Sequence, residues 1–375
     1  MLNSPPKSGG FFRAVDPLIL APIRESCKAA AVFPRWAKLT RRNIRPPVCL
    51  FLRARLLFYV CIASFAAQLI DLIYTIPTPH PLNMSKSRLT RYLGFIAVPT
   101  LAAGYGVHLG LTHLETKYPA LSPESTGSKA LRIPAKTGQH CAYTDIYAAR
   151  VPLRALEARA RRHRQHNKNN IVVENNNTNS KVSREEIWAQ SLLSSLVFRV
   201  EGSIIGLFTN GKYSPGDLGE DGFSPIPADP NEAHGQKIQP RVLVNGVLTV
   251  QREPVSSSQD GDSNGLLVSW TMADPPRLFF EKIARLGYPW RLMSGGRHEM
   301  SVSEPFEVDD NGSGHDKLVE VRFATSHDYE IVEAEGNLEQ QKLLPRWSIR
   351  MHRGYARLIL DRAVRELKSE LNDEN

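Results

Sequence analysis

Two long apolar runs interrupt the N-terminal part of the chain. The first begins at Leu56 and continues past Asp71, and it predicts a transmembrane helix within residues 49–76. The second, residues 92–114, contains no Asp, Glu, Lys or Arg. At about 1.5 Å per residue it is long enough to cross a hydrocarbon core, so we expect a transmembrane helix there as well. One span and two spans give opposite topologies, and the pattern leaves both open.

Small side chains recur every four residues in the second apolar run, at Ala102, Gly106 and Gly110. Because this spacing puts them on one helical face, another helix could approach closely, and a homodimer contact is one interpretation. The other is that glycine is simply frequent in membrane helices.

Residues 115–182 lack a sustained apolar period, and we interpret them as a linker. A basic stretch within it, Arg150–Arg164, predicts an amphipathic helix, either solvated or on a lipid surface, and the solvated form is favoured. Residues 167–180 contain seven asparagines, which cannot supply a core and therefore predict disorder.

The apolar and polar pattern of residues 183–375 predicts a folded domain. Ser183 and Glu186 have the spacing of a capping box at the start of a helix. Residues 203–209 look like a strand, and Asn245-Gly246 between two apolar runs predicts a hairpin over residues 241–251.

Further along, the pattern predicts a strand over residues 266–272 and then a helix beginning at Asp274. The apolar stripe of this helix consists of Leu278, Phe279, Ile283 and Leu286. A turn is expected at Gly295-Gly296. More strands are predicted at residues 289–293, 300–308, 317–325 and 328–333, and a long amphipathic helix at residues 345–371.

This order of elements predicts an α+β fold, in which a curved antiparallel sheet wraps a long C-terminal helix. Such a helix-grip arrangement encloses an apolar cavity between sheet and helix.

Charge divides the chain into two parts. Residues 1–200 hold 28 Lys and Arg against 10 Asp and Glu, whereas residues 201–375 hold 19 against 28. The basic excess flanks the apolar runs, so it indicates targeting or membrane-facing charge rather than nucleic-acid binding. Residues 1–48 suit a basic tail or an import presequence, and Met84 is an alternative start. We expect a membrane protein, mitochondrial or of the endoplasmic reticulum.

Three motifs between Leu266 and Lys368 resemble a family of bacterial and plant domains, the domain of unknown function numbered nineteen-ninety. They are Asp274-Pro-Pro-Arg277-Leu-Phe279, the spacing of His298, Glu304, Phe306 and Val308, and Arg353-Gly-Tyr355-Ala-Arg357. Arg297 departs from the glycine that the family has before its histidine. The resemblance implies a START-like helix-grip fold and no particular activity.

The candidate site residues are polar and aromatic groups near the predicted strands. Acid, base or ligand-anchoring roles are predicted for His298, Glu304, His327 and Tyr329, and ligand contacts for Arg297, Trp290 and Phe306. His327 and Tyr329 would share a strand face. The competing interpretation is that the groups around His298 are exposed hairpin residues.

The sequence contains no Gly-rich phosphate loop, no Gly-x-Ser-x-Gly elbow and no CxxC pair. We therefore expect no metal, no cofactor and no nucleic-acid partner. The leading hypothesis is a membrane-anchored protein that binds a membrane lipid or a small apolar ligand. An enzyme of cyclase or dehydratase type acting on a hydrophobic intermediate is the alternative, and a scaffold is the third.

Overall fold

The computed structural model describes residues 86–126, 128–170, 182–210, 213–226, 239–255, 265–307 and 317–372. Contacts divide the chain into two units, Met1–Leu93 and Gly94–Asn375. Only residues 86–93 of the first unit are described, as the beginning of a helix. The predicted span at residues 49–76 and the basic segment at residues 1–48 lie outside the described residues.

The helices of the described part, in chain order, are α1 (Lys86–Lys117), α2 (Pro123–Thr126), α3 (Lys129–Arg132), α4 (Leu153–Asn170), α5 (Arg184–Leu193), α6 (Leu196–Asn210), α7 (Asp274–Arg285) and α8 (Arg346–Asn372). The strands are β1 (Gln139–Pro152), β2 (Val242–Leu243), β3 (Leu248–Arg252), β4 (Leu266–Thr271), β5 (Gly295–Val302) and β6 (Leu318–Glu330). Two single turns of 3₁₀-helix, Glu333–Glu335 and Leu338–Gln340, connect β6 to α8.

The six strands form one antiparallel sheet in the order β1-β6-β5-β4-β3-β2. The main core lies between one face of this sheet, called the inner face below, and helices α4, α5 and α8. α8 supplies a buried stripe to it, consisting of Ala356, Ile359, Leu360, Ala363, Val364 and Leu367. The α+β architecture and the long C-terminal helix are therefore as predicted.

A smaller core covers the opposite face, called the outer face. Leu131 of α3 packs there against Ile146, Leu267 and Ala324. The sheet is thus covered on both faces, and the helix on its outer face comes from the segment predicted to be a linker.

The longest strand, β1, lies inside that predicted linker. It pairs with β6 along its whole length, from Gln139 with Glu330 to Pro152 with Leu318. The folded unit consequently extends N-terminal to the predicted domain start at Ser183. The basic stretch does form a helix, α4, but Ala155, Leu156 and Ala158 are buried, so it is part of the core rather than only a solvated helix. Its last residues, 167–170, are helical, and residues 171–181 of the asparagine-rich segment lie outside the described residues.

The predicted strand at residues 203–209 is wrong, because these residues continue helix α6. The buried positions Phe198, Gly202 and Gly206 recur every four residues, which is a helical period. Gly202 is also required where it stands, since a Cβ there would come within 2.9 Å of Pro215.

The predicted hairpin is confirmed, with a longer turn than expected. Leu243 pairs with Leu248, so four residues connect the strands instead of two. Val244, Asn245 and Gly246 all have positive φ, and Asn245 donates side-chain hydrogen bonds to the carbonyl oxygens of Gly202 and Ser214. These contacts with Gly202 and Ser214 stabilise the turn, although the positive φ of Val244 is unfavourable for a β-branched residue.

Two predictions for the other strands are wrong. Residues 289–293 do not form a strand, and Gly295-Gly296 is the beginning of β5 rather than a turn. A Cβ at Gly296 would clash with the carbonyl oxygen of Ser326 on the neighbouring strand, so glycine here permits close strand contact. The two segments predicted separately over residues 317–333 form one continuous strand, β6.

The second apolar run lies within α1. Among the described residues, no helix is both long and apolar enough to cross a membrane. The last turns of α1 contact α8 instead, because Arg350 donates to both carboxylate oxygens of Glu115 at 2.8 and 2.9 Å and Lys117 pairs with Asp361 at 2.6 Å. Residues 102–110, which include the small-residue positions, are exposed, and the homodimer contact stays a prediction.

Candidate functional site: a polar cluster on the inner face

The inner face of the sheet changes from apolar to polar along β6. Val319, Val321 and Phe323 belong to the main core, and the next inner-facing residues are Thr325, His327 and Tyr329. The neighbouring strands and the beginning of α8 add polar and aromatic groups at the same end. We call this set the inner-face cluster: His140, Tyr143, Asp145, Trp270, His298, Thr325, His327, Tyr329, His352 and Arg353.

His327 lies at the centre of the inner-face cluster. Its ring stacks on Tyr143 of β1, with 4.4 Å between centroids, and meets His352 of α8 edge-on at 4.6 Å. Its Nε2 lies 3.3 Å from the Thr325 hydroxyl oxygen. The fully buried Tyr329 continues this row, and its hydroxyl accepts a 3.4 Å hydrogen bond from the backbone N–H of Leu344.

His298 lies on the next strand, β5, with its Cα paired across the sheet with Thr325. Its ring is stacked near Trp270 of β4 at 6.2 Å between centroids and lies 5.5 Å from Phe323. His298, Trp270 and His352 are half-buried rather than buried. This end of the sheet therefore keeps some access for another molecule.

The charged groups of the inner-face cluster form a pair. Arg353 of α8 donates from Nε to Asp145 of β1, with nitrogen–oxygen distances of 2.9 and 3.0 Å. Burial raises the pKa of Asp145, while the hydrogen bond and charge of Arg353 act in the opposite direction. The pair leaves the inner-face cluster with no net charge from these two residues.

The pKa values of His298, His327 and His352 are lowered, which favours the neutral imidazole at pH 7. Burial lowers the pKa of His298 to about 3 and that of His352 to about 4, and the pKa of His327 is well below its ordinary value for the same reason. The histidines also lower one another's pKa, since His352 acts on both His298 and His327. A neutral imidazole has one N–H donor and one nitrogen acceptor, so each can hydrogen-bond a ligand or accept a proton.

Several buried polar atoms of the inner-face cluster have no hydrogen-bond partner. They are Nδ1 of His140, His298 and His327, Nε1 of Trp270 and the hydroxyl oxygen of Tyr143. A buried polar group without a partner costs about 1–3 kcal/mol. Five such atoms lie at one end of one sheet face, where they are available to hydrogen-bond another polar molecule.

Four of the predicted site residues lie outside the inner-face cluster. Glu304 is on the surface, where it pairs with Arg184 at 3.1 Å and keeps 77% of its side chain exposed. Phe306 pairs with Leu318 at the other end of β6, beneath Arg150. Trp290 stacks with Tyr288 and Phe280 outside the sheet.

Arg297 is on the outer face, since adjacent strand residues point to opposite sides. It is buried, and it donates to Asp328 at 2.6 Å and to the Ser326 hydroxyl at 3.1 Å. This pair is part of the structure of the outer face and lies away from the inner-face cluster, and the ligand contact of Arg297 stays a prediction.

The structure therefore brings together His298, His327 and Tyr329 and adds residues that the sequence did not suggest. His140, Tyr143 and Asp145 were missed together with strand β1. The sequence of β6 did indicate a polar site, because its alternate positions change from Val-Val-Phe to Thr-His-Tyr along the strand. This change predicts that one end of the inner face is polar. His352 lies near the beginning of α8, before the buried apolar stripe of this helix. Only the packing of α8 against the sheet shows that His352 contacts His327.

The described residues contain no group of three or more His, Cys, Asp or Glu side chains placed to hold a metal ion. The inner-face cluster thus supplies hydrogen-bonding and aromatic groups rather than a set of metal ligands.

A comparison of the chain with known protein families finds no match, and neither characterised proteins nor solved structures give one. The resemblance of residues 266–368 to the uncharacterised domain family stays a prediction.

Proposed function

We propose that the domain binds an apolar, lipid-like molecule in a helix-grip arrangement, with the polar end of that molecule against the inner-face cluster. The observation that carries the proposal is the presence of five unpartnered buried polar atoms at one end of the inner face, on His140, Tyr143, Trp270, His298 and His327. A ligand hydroxyl or carbonyl would satisfy them, because the neutral imidazoles and the indole N–H provide both acceptors and donors.

Aromatic rings support the apolar part of the ligand. Trp270, Tyr143 and Phe323 surround the histidines and offer flat surfaces that favour a hydrocarbon or a fused ring. Because Arg353 is already paired with Asp145, the described part of the cluster provides no free cation for a fatty-acid carboxylate. The proposal therefore favours a lipid with an uncharged polar group.

Native mass spectrometry of the full chain tests this proposal. The protein would be incubated with vesicles of phosphatidylcholine containing diacylglycerol and a sterol, and then re-isolated. We expect a single bound neutral lipid per chain, and a loss of about tenfold or more in occupancy for His298→Leu, which removes one hydrogen-bonding ring.

Glu304→Gln is the matched control, because it changes a predicted site residue that is exposed and outside the inner-face cluster. It should bind the lipid as the wild type does. Wild-type protein that remains empty, or equal occupancy in His298→Leu, contradicts the proposal.

A second candidate function is an enzyme that converts the same ligand, and the position of His327 favours it. Its neutral imidazole lies between Tyr143 and His352, where it could accept a proton from a bound molecule. In the same experiment, an enzyme would change the mass or retention of the bound lipid with time. His327→Gln should keep the ligand and stop the change, whereas a pure binder shows no change with either protein.

A further inference from the structure

A cleft lies between helices α4, α6 and α8, and none of the residues that line it belongs to the inner-face cluster. Its volume is about 550 Å³, and most of the residues that line it are charged. Four arginines from three helices face it: Arg159, Arg162, Arg199 and Arg362. Three carboxylates share the lining: Glu220, Glu366 and Glu370.

Three of the arginines are held in place by hydrogen bonds. Arg159 donates to the carboxylate of Glu370 and, at 3.1 Å, to Ser194. Arg162 donates to the backbone carbonyl of Glu370 at 2.7 Å, and Arg362 to Glu366 at 2.7 Å. Because these guanidinium groups are ordered before any ligand arrives, less entropy is lost on binding.

Arg199 differs from the other three. Its side chain is exposed at the cleft, and within the described part of the chain it makes no ion pair or hydrogen bond. Glu370 provides the opposite feature: the residue is only 9% exposed, and its Oε2, 3.8 Å from Arg162 Nη1, accepts no hydrogen bond from the described residues. Within the described residues, the cleft thus presents an unpaired cation and a buried carboxylate oxygen that can still accept a hydrogen bond.

We infer that this cleft binds a phosphorylated polyol. A phosphate group would receive hydrogen bonds from Arg199 and its neighbours, since guanidinium groups match phosphate oxygens in pairs. A hydroxyl group on the same molecule would donate to Glu370 Oε2. A bare phosphate could use the arginines but leaves that acceptor unsatisfied, whereas a neutral sugar leaves Arg199 unused.

Isothermal titration of the full chain with inositol 1,4,5-trisphosphate tests the inference, with inositol and inorganic phosphate as partial ligands. We expect the trisphosphate to bind more tightly than either, and Arg199→Gln to weaken it by about tenfold or more. Arg164→Gln is the matched control, since Arg164 lies on the same helix as Arg159 and does not line the cleft.

Absence of trisphosphate binding overturns the inference. Equal weakening by Arg199→Gln and Arg164→Gln also overturns it, because binding would then depend only on the positive charge of the surface. Inorganic phosphate binding as tightly as the trisphosphate also overturns it.

Vesicles with and without phosphatidylinositol bisphosphate separate a lipid headgroup from a free polyol phosphate as the source. If the protein binds the vesicles and Arg199→Gln weakens this binding as strongly as it weakens trisphosphate binding, the ligand of the cleft is a lipid headgroup. If the protein binds the trisphosphate but not the vesicles, the ligand is a free polyol phosphate. Vesicle binding without trisphosphate binding contradicts it.

Discussion

At the scale of single residues, the inner-face cluster makes stability depend on pH. The folded-state pKa values of His298 and His352, about 3 and about 4, lie below the ordinary 6.5, and that of His327 is also lowered. Between these values the unfolded chain binds protons that the folded chain does not. The free energy of unfolding is therefore complete above pH 6.5 and falls as the pH drops.

His298 contributes a slope of up to about 1.4 kcal/mol per pH unit between pH 6 and pH 4, and the slope from His352 decreases as the pH approaches 4. His327 acts in the same direction. Urea unfolding at several pH values measures the slope. His298→Gln should give a shallower slope than the wild type. A free energy of unfolding that is constant between pH 7 and pH 4.5 would show that these imidazoles are not buried as neutral groups.

The outer face contains a different residue-scale feature, the buried pair of Arg297 and Asp328. Arg297→Met leaves Asp328 buried without its cation, and we expect it to lower the free energy of unfolding by about 3–5 kcal/mol. Arg297→Met combined with Asp328→Leu removes both charges and should recover most of that loss. The comparison is made by urea unfolding at pH 7, and a double variant as unstable as the sum of its single changes refutes the assignment.

At the scale of elements, helix α7 was predicted correctly in position and wrongly in orientation. Leu278 and Phe279, which belong to its apolar stripe, are 50% and 52% exposed, whereas Glu281 is 15% exposed and pairs with Arg277 and Arg285. The periodicity shows that a helix forms, but which side faces the protein depends on long-range contacts. Those include the approach of Arg277 to Glu330 at 3.9 Å.

This orientation leads to a stability prediction. Leu278→Gln and Phe279→Gln should each change the free energy of unfolding by less than about 0.5 kcal/mol, because neither side chain is buried. Leu360→Gln, in the buried stripe of α8, should cost about 3 kcal/mol or more. Thermal or urea unfolding checks all three, and a large loss at Leu278 would mean that the stripe faces the core.

Elements determined by contacts between residues near in sequence were predicted correctly, whereas elements determined by contacts between distant residues were missed. The cap at Ser183, which accepts from Glu186 N at 3.0 Å, and the long C-terminal helix depend on neighbouring residues and were predicted. β1 was missed because its inner face is mixed, with His140, Tyr143 and Asp145 followed by Tyr147, Ala149 and Val151, so no regular apolar alternation marks it. Three of the ten residues of the inner-face cluster, His140, Tyr143 and Asp145, were missed with it, since they meet the other members only through pairing with β6.

At the scale of the whole molecule, β1 and the end of α1 make the fold depend on residues before Ser183. β1 forms the edge strand beside β6, and Arg357 donates to the carbonyl oxygen of Tyr118 at 2.8 Å. Tyr118 also donates to Asp361 at 2.9 Å. The C-terminal helix is therefore attached to a segment that the sequence assigned to a linker.

A fragment of residues 183–375 should consequently fail to unfold cooperatively, because the inner face loses β1 and its buried Tyr147. A fragment of residues 94–375 keeps these parts and should give a single cooperative transition. Circular dichroism with urea compares the two. A cooperative transition in the shorter fragment would show that β1 is dispensable.

The most direct test of the proposed function is a crystal structure of the full chain after incubation with the neutral-lipid vesicles. The account predicts density for an apolar molecule at the inner-face cluster, with a polar atom within hydrogen-bond distance of Trp270 Nε1 or His298 Nδ1. Ordered water alone bridging these atoms, with the aromatic rings packed as before, would contradict it.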